Sequence, residues 1–430
     1  MTATSVAATL PRPTMILRLV AGRGTFRIGV QVMALALVAV WGVETFGHYA
    51  NAIGLFGWLP LAMSTPEKAA LKVLPRTRLL TPTLARLTLA LSAAPVLALL
   101  VVLVPVATAA PTSAATSYLA AASWLALTGL LMTVSGLHRL RGRPGLDAVA
   151  FGACAGVVLA ATAVTWRLGL APQYHLLLLV GGTVLVTGCA VAALPPDWVR
   201  PGRRSGHRVL PRLLRMTALL GVSDVVDALG TAVLYLVLAA TGQVTDSGPL
   251  YLALLASTMV GQLMFYLLRV AQPTVSARLR GTGGAAGRAR ASGLLRLGER
   301  YGLVCAAVFA VLALVPATRE LVLGDAALPV VLGVLVCLEV GLFVTVMYAS
   351  YLLENTNNSI LVVTASAAVL GLVAAGGLAV ALVPLLGAVG ALVVLVLSVT
   401  VKASVMRRLL LRTRPELHAS AATPDPRPIR

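Results

Sequence analysis

The sequence predicts an all-α polytopic membrane protein of about twelve transmembrane helices. They form two six-helix lobes around a central cavity, with both termini cytoplasmic. Three observations carry this reading. Of 430 residues, 59% are hydrophobic and only 11% charged, and the mean hydropathy of +0.93 leaves too little polar side chain to cover a soluble domain of this size. The apolar residues fall into runs of membrane-crossing length, ~20 residues each. The basic residues lie almost wholly on one side of those runs.

The runs fall at 26–43, 48–65, 87–107, 115–137, 147–165, 174–194, 212–240, 249–272, 301–316, 327–352, 359–383 and 386–406. They are rich in Leu, Val and Ala and too long for porin strands of ~10 alternating residues, so they read as helices. The second is the least uniform, carrying His48, Asn51 and Pro60. With the amino terminus inside, 32 of the 34 Lys and Arg residues fall on the cytoplasmic side, leaving Arg167 and Arg319 outside. That asymmetry is the positive-inside pattern, set by the cost of moving Lys and Arg outward during insertion. An even number of spans returns the carboxyl terminus to the cytoplasm. The net charge of +20 is then a topology signal, and no nucleic-acid partner is expected.

A basic segment precedes the first run, which ends in Trp41-Gly42-Val43-Glu44 without a small-residue cleavage site. No cleavable signal peptide is expected. Trp41, Phe46, Tyr49, Trp166, Tyr174 and Tyr251 fall near outer span ends, where an aromatic belt would lie. Cys154, Cys189, Cys305 and Cys337 have no paired spacing and read as small packing residues, neither disulfides nor metal ligands.

The longest mid-chain break is the basic linker at 195–211. It divides the chain into a cytoplasmic basic amino terminus (1–25), an amino-terminal lobe (26–194), a carboxyl-terminal lobe (212–406) and a cytoplasmic tail (407–430). The lobes begin alike, with a basic segment, a long helix and an outer turn. Those turns are Glu44-Thr45-Phe46-Gly47-His48-Tyr49 and Asp246-Ser247-Gly248-Pro249-Leu250-Tyr251. Six spans restore the starting side, so such a repeat is parallel, and paired lobes place a transport site at their interface near the midplane.

The stretch VWGVETFGHYANAIGLFGWLPLAMSTPEKAALKVLPRTR (40–78) resembles the opening of polysaccharide flippases of the multidrug/oligosaccharidyl-lipid/polysaccharide exporter superfamily. Asp227 with Gly248 and Tyr251 is similar to their seventh-span pattern, although Ala228 stands where they often carry a basic residue. Pro273, Ser276 and Arg278 resemble their exit from the eighth span. The stretch 352–394, with Pro384, Gly387, Gly390 and Ala391 at its outer turn, is similar to their penultimate pair. The resemblance implies a V-shaped cavity and movement of a polyprenyl-pyrophosphate-linked saccharide from the inner to the outer leaflet. It also implies a cationic cavity, for which Arg27 and Arg269 are the candidate cargo contacts, since arginine offers a pyrophosphate bidentate donors.

Ionisable residues inside spans are expensive and so informative. Asp224 and Asp227, three residues apart, share a helix face that Thr217 and Thr231 extend. Glu339 stands near the middle of the tenth span. These three are the candidate ion-coupling residues, for H+ or Na+; as a structural alternative they could pair across helices with Thr, Ser or backbone groups, and the Asp pair could also bond Arg215 or Arg269. The Arg/Gly/Ala run 278–300 reads as a solvated linker, with an interfacial helix on anionic lipid as the alternative. GTGGAAGRAR (281–290) follows no strand and lacks a Gly-Lys-Ser/Thr ending, so it is no phosphate loop. Asn357-Asn358-Ser359 matches a glycosylation sequon on the cytoplasmic side, where it has no meaning. There is no nucleophile–base pair, ATP site, cofactor motif or large extramembrane domain, so no enzyme is expected.

The leading expectation is therefore a flippase of the cell (cytoplasmic) membrane, working by alternating access in cell-surface polysaccharide export, with a polymerase or glycosyltransferases as candidate partners. The alternatives are a cation-coupled drug or metabolite antiporter of the same fold and a non-transporting scaffold of an envelope assembly complex.

Overall fold

The computed structural model describes residues 13–73, 81–199, 210–279, 283–314, 328–356 and 360–412. Among them the chain is helical, with no strand. In order the helices are α1 (Pro13–Leu55), α2 (Leu59–Val73), α3 (Thr81–Ala109), α4 (Ala114–Leu140), α5 (Gly145–Leu168), α6 (Pro172–Ala192) and the short α7 (Pro196–Val199). They continue with α8 (Leu210–Ala240), α9 (Ser247–Arg278), α10 (Gly283–Leu314), α11 (Leu328–Thr356) and α12 (Ile360–Arg412). Nine helical stretches among the described residues are long and apolar enough to cross a membrane.

Two of these stretches fold back on themselves. Gly42 sits inside α1 at φ 72, ψ 173, a conformation L residues avoid. Met33 and Tyr49 would be about 24 Å apart in a straight helix, yet the Tyr49 hydroxyl lies 3.9 Å from the Met33 sulfur. The chain therefore reverses at Gly42, and α1 is a hairpin of two arms. Gly387 does the same in α12 at φ 54, ψ −130. There a Cβ on Gly371 would sit 3.3 Å from the Cβ of Lys402. The sequence placed the first turn later, at Glu44-Thr45-Phe46-Gly47-His48-Tyr49; those residues belong to the second arm instead. That arm continues, after a turn around Gly57, into α2.

Two further expectations are corrected. Residues 283–300 are not a solvated linker but the first half of α10, with Ala291 and Leu295 fully buried. Small residues on one face let the helix pack closely despite its arginines. The aromatic belt is only partial. Trp166 and Tyr174 are exposed, but Phe46 and Tyr49 are buried, stacked with Trp41, His175 and Tyr251. Their rings tie the lobes to one another instead of facing lipid. The four cysteines are free, with Cys154 and Cys305 buried and Cys189 and Cys337 exposed.

Helices α1–α6 bury one continuous core around Leu37, Tyr49, Leu131, Leu137, Leu176 and Leu179. Helices α8–α12 bury two clusters, one around Leu234, Tyr235 and Leu392 and one around Leu342, Leu353 and Met406. A fourth cluster joins Ala69 and Ala70 of α2, Leu84 of α3, Leu213 and Leu220 of α8 and Leu361 of α12. It closes the seam between the lobes at the end of the bundle where the arginine-rich segments lie.

Candidate functional site

Between the lobes lies a cavity of about 240 Å³. Its amino-terminal wall comes from the first arm of α1, the junction of α1 and α2, and the middle of α4, with Arg27, Gly54, Pro60 and Trp124; the opposite wall comes from α8, α9 and α11, with Asp224, Asp227, Tyr251, Ser257, Glu339 and Phe343. Four of the five predicted site residues therefore meet in one space. The fifth, Arg269, falls within α9, but its side chain lies outside the described residues.

The charges in this space are unequally satisfied. Asp224 accepts a bond of 3.0 Å from the Lys68 ammonium of α2, which also lies 2.9 Å from Glu354 of α11. Lys68 further donates to the Leu220 carbonyl at 3.3 Å, and Ser223 donates to Glu354 at 2.8 Å. Asp227 pairs with Lys402 in the second arm of α12. The partners of the Asp pair are thus lysines, not Arg215, which is exposed. Arg215 stands more than two turns before Asp224 on the same helix, whereas Lys68 and Lys402 approach from facing helices. Thr231 joins Asp224 and Asp227 on the cavity wall, while Thr217 lies off it with a buried, unbonded hydroxyl.

Glu339 is 6% exposed, and its one partner among the described residues is the Ser257 hydroxyl. Arg27 makes no ion pair among the described residues; its guanidinium lies 5.8 Å from the Phe26 ring. A second chamber of about 70 Å³ opens beside Asp227, Thr231 and Glu339 and runs back into the carboxyl-terminal lobe past Ser398 and Lys402.

Both ends of the cavity are closed by contacts between the lobes. At the basic end, besides Lys68, Tyr266 of α9 inserts between two arginines of the other lobe. Its ring centroid lies 4.3 Å from Arg23 and 5.5 Å from Arg139, and its hydroxyl donates to Asp147 at 3.4 Å. Asp147 is fully buried and holds Arg23 at 3.2 Å and Arg139 at 3.4 Å, while Glu67 holds Arg139 as well. At the opposite end, Asn51 donates to the Tyr235 carbonyl at 2.8 Å and to the Ser247 hydroxyl at 3.0 Å, and accepts from Tyr118 at 2.9 Å.

Charge counting by loop assigned Lys68, Lys402, Arg23 and Arg139 to topology alone. The structure shows all four in buried or half-buried pairs. One signal was available, because Lys402 stands inside the last apolar run. Arg23 pairs across 124 residues, Lys68 across 156 and 286, and Arg139 reaches Glu67 across 72, all beyond any local pattern; the contact of Arg139 with Asp147, eight residues on, is the local one.

No protein-family model matches the sequence, and no curated protein matches it. Solved structures do. An outward-facing multidrug resistance MATE family transporter of the MOP superfamily matches with a TM-score of 0.57 at 15% identity, covering 96% of this chain and 100% of that one. The chain has the MATE transporter fold. An inward-facing MATE structure matches with a TM-score of 0.52 at 15% identity over 97% and 98% of the two chains. A MOP superfamily transporter from Pyrococcus furiosus, whose reversed pocket polarity suggests a different function, matches at 0.53 and 14% identity over 95% and 96%. The nine membrane-length apolar stretches among the described residues mark this as a multi-pass membrane protein, and the matched structures are transporters.

Proposed function

We propose that this chain is an alternating-access transporter that moves a polyprenyl-pyrophosphate-linked saccharide from the inner to the outer leaflet. One observation carries the reading. Arg27 lies in the cavity wall with no carboxylate partner among the described residues, whereas Asp224 and Asp227 are already occupied by Lys68 and Lys402. A cation held in an apolar cavity without a counter-charge favours an anionic cargo. Aromatic walls from Trp124, Phe265 and Phe343 suit the remainder of an amphipathic substrate. The twelve-span topology, cytoplasmic termini and lobe boundaries given by the sequence belong to the same proposal.

The test is headgroup translocation by the purified protein in liposomes, with a fluorescent polyprenyl-pyrophosphate saccharide and an outer-leaflet quencher. Arg27→Gln should lower the rate at least about tenfold, the loss of one charge-assisted contact of ~1.5–3 kcal/mol. Wild-type liposomes that move no headgroup would overturn the reading.

A cation-coupled drug antiporter is the second reading, favoured by Glu339, a buried carboxylate whose described partner is a single hydroxyl. Proton-driven efflux of small cations, lost in Glu339→Gln while headgroup movement is absent, would select it.

A further inference from the structure

The exposed residues of α10 fall along one face at helical spacing. Through its first half that face is basic, with Arg290, Arg296 and Arg300 exposed. One turn later it becomes apolar, and Val304 (62% exposed), Val308 and Val311 stand bare. Val304, Val308 and Val311 fall in the apolar run 301–316 that the sequence reads as a span, so the step from Arg300 to Val304 is where headgroups would meet hydrocarbon. Leu297, 59% exposed between Arg296 and Arg300, is placed well at such a boundary and poorly in water.

Three features make the basic half more than a general positive fringe. Glu299, the one acid on these turns, is engaged by Arg407, so Arg290, Arg296 and Arg300 keep their charge on the open face. Arg290 is steadied over the Tyr348 ring, 5.9 Å from its centroid. Between Arg290 and Arg296 stands Gly293, where a Cβ would meet nothing within 4 Å. The result is a bare patch of backbone with an arginine one turn to either side.

We propose that this face docks an anionic phospholipid of the inner leaflet. Its phosphate lies over Gly293 between Arg290 and Arg296, and one acyl chain runs along Leu297, Val304 and Val308. Arginine supplies the paired donors that a phosphodiester accepts, and juxtamembrane arginines are attracted to an anionic leaflet. The site lies on the lipid-facing surface of the carboxyl-terminal lobe and is independent of what the cavity carries.

The experiment is lipid retention by the purified full chain, read by native mass spectrometry after titration with phosphatidylglycerol or phosphatidylcholine. Wild type should retain phosphatidylglycerol selectively. The variant R290Q/R296Q/R300Q should lose that retention by at least about tenfold, while R141Q/R143Q, which removes exposed arginines from the loop after α4, should keep it. Gly293→Val, which fills the patch without changing charge, should also lower retention. Equal retention in wild type and the α10 triple variant, equal loss in the loop variant, or no effect of Gly293→Val would each overturn the site.

Discussion

The Lys68 ammonium stands 2.9 Å from the Glu354 carboxylate, across the seam between the lobes. With Asp224 at 3.0 Å on its other side, this lysine is the charge that two carboxylates of the opposite lobe share. Burying three such groups carries a large desolvation cost, and the arrangement holds only while all three are together. If the basic end of the cavity is to open, this triad must part and each member must regain water.

Lys68→Gln should therefore loosen the basic end. Removing one partner of a buried pair costs about 3–5 kcal/mol, so thermal unfolding in detergent should shift down by several degrees. A Thr231→Cys reporter on the cavity wall, in a background without the native cysteines, should label at least about tenfold faster from the cytoplasmic side. Unchanged labelling would mean that the triad is not what closes this end.

Asn51 makes the complementary prediction at the other end. Asn51→Ala removes three bonds that reach Tyr235, Ser247 and Tyr118, and leaves the Tyr235 carbonyl and Ser247 hydroxyl buried without Asn51. At about 1–3 kcal/mol for each unsatisfied group, the same Thr231→Cys reporter should label faster from outside. Labelling that rises equally from both sides would indicate general loosening instead.

Tyr266 separates two effects in one side chain. Tyr266→Phe removes a single long hydrogen bond to Asp147 and should cost about 1 kcal/mol or less. Tyr266→Ala also removes the ring between Arg23 and Arg139 and should cost about 3–5 kcal/mol. Thermal unfolding of the two variants measures the difference. Equal losses would show that the hydroxyl, not the ring, does the joining.

Gly42→Ala should destabilise the first hairpin through backbone strain alone, since a Cβ there meets nothing within 4 Å. Its φ of 72 places any side chain in a conformation costing about 1–3 kcal/mol. Gly152 lies in α5, where a Cβ meets nothing within 4 Å, and Gly152→Ala should be neutral or stabilise slightly. Yield and unfolding temperature of the folded protein compare the two. A Gly42→Ala chain as stable as wild type would show that the hairpin does not depend on this residue.

Much of this architecture was legible because membrane burial is expensive for charge. Asp224, Asp227 and Glu339 stood out as ionisable residues within apolar runs, Arg27 through the family resemblance, and all four line the cavity. The outer turn at Gly387 was legible from Pro384 and its glycines. What could not be read was pairing. Nothing near Lys68 in sequence distinguishes it from Lys72 as an anchoring charge, because its meaning comes from helices that arrive 156 and 286 residues later. Gly42 was missed for a different reason. A glycine that turns the chain in one residue leaves no polar loop to mark it.

The spacing of these pairs also orders assembly in time. Arg23, Glu67, Arg139 and Asp147 all belong to the first lobe, so that cluster closes once α5 is made. Lys68 is synthesised 286 residues before Glu354, which at ~5–20 residues per second is roughly 15–60 s. Until Asp224 is made, 156 residues after Lys68 and roughly 8–30 s at that rate, the first lobe carries a lysine with neither of its carboxylates from the second, and a chain that stops before that point retains it. The seam thus serves biogenesis as a mark of completion. A truncated product presents an unmatched charge within the bilayer, the kind of defect by which membrane quality control recognises an orphan.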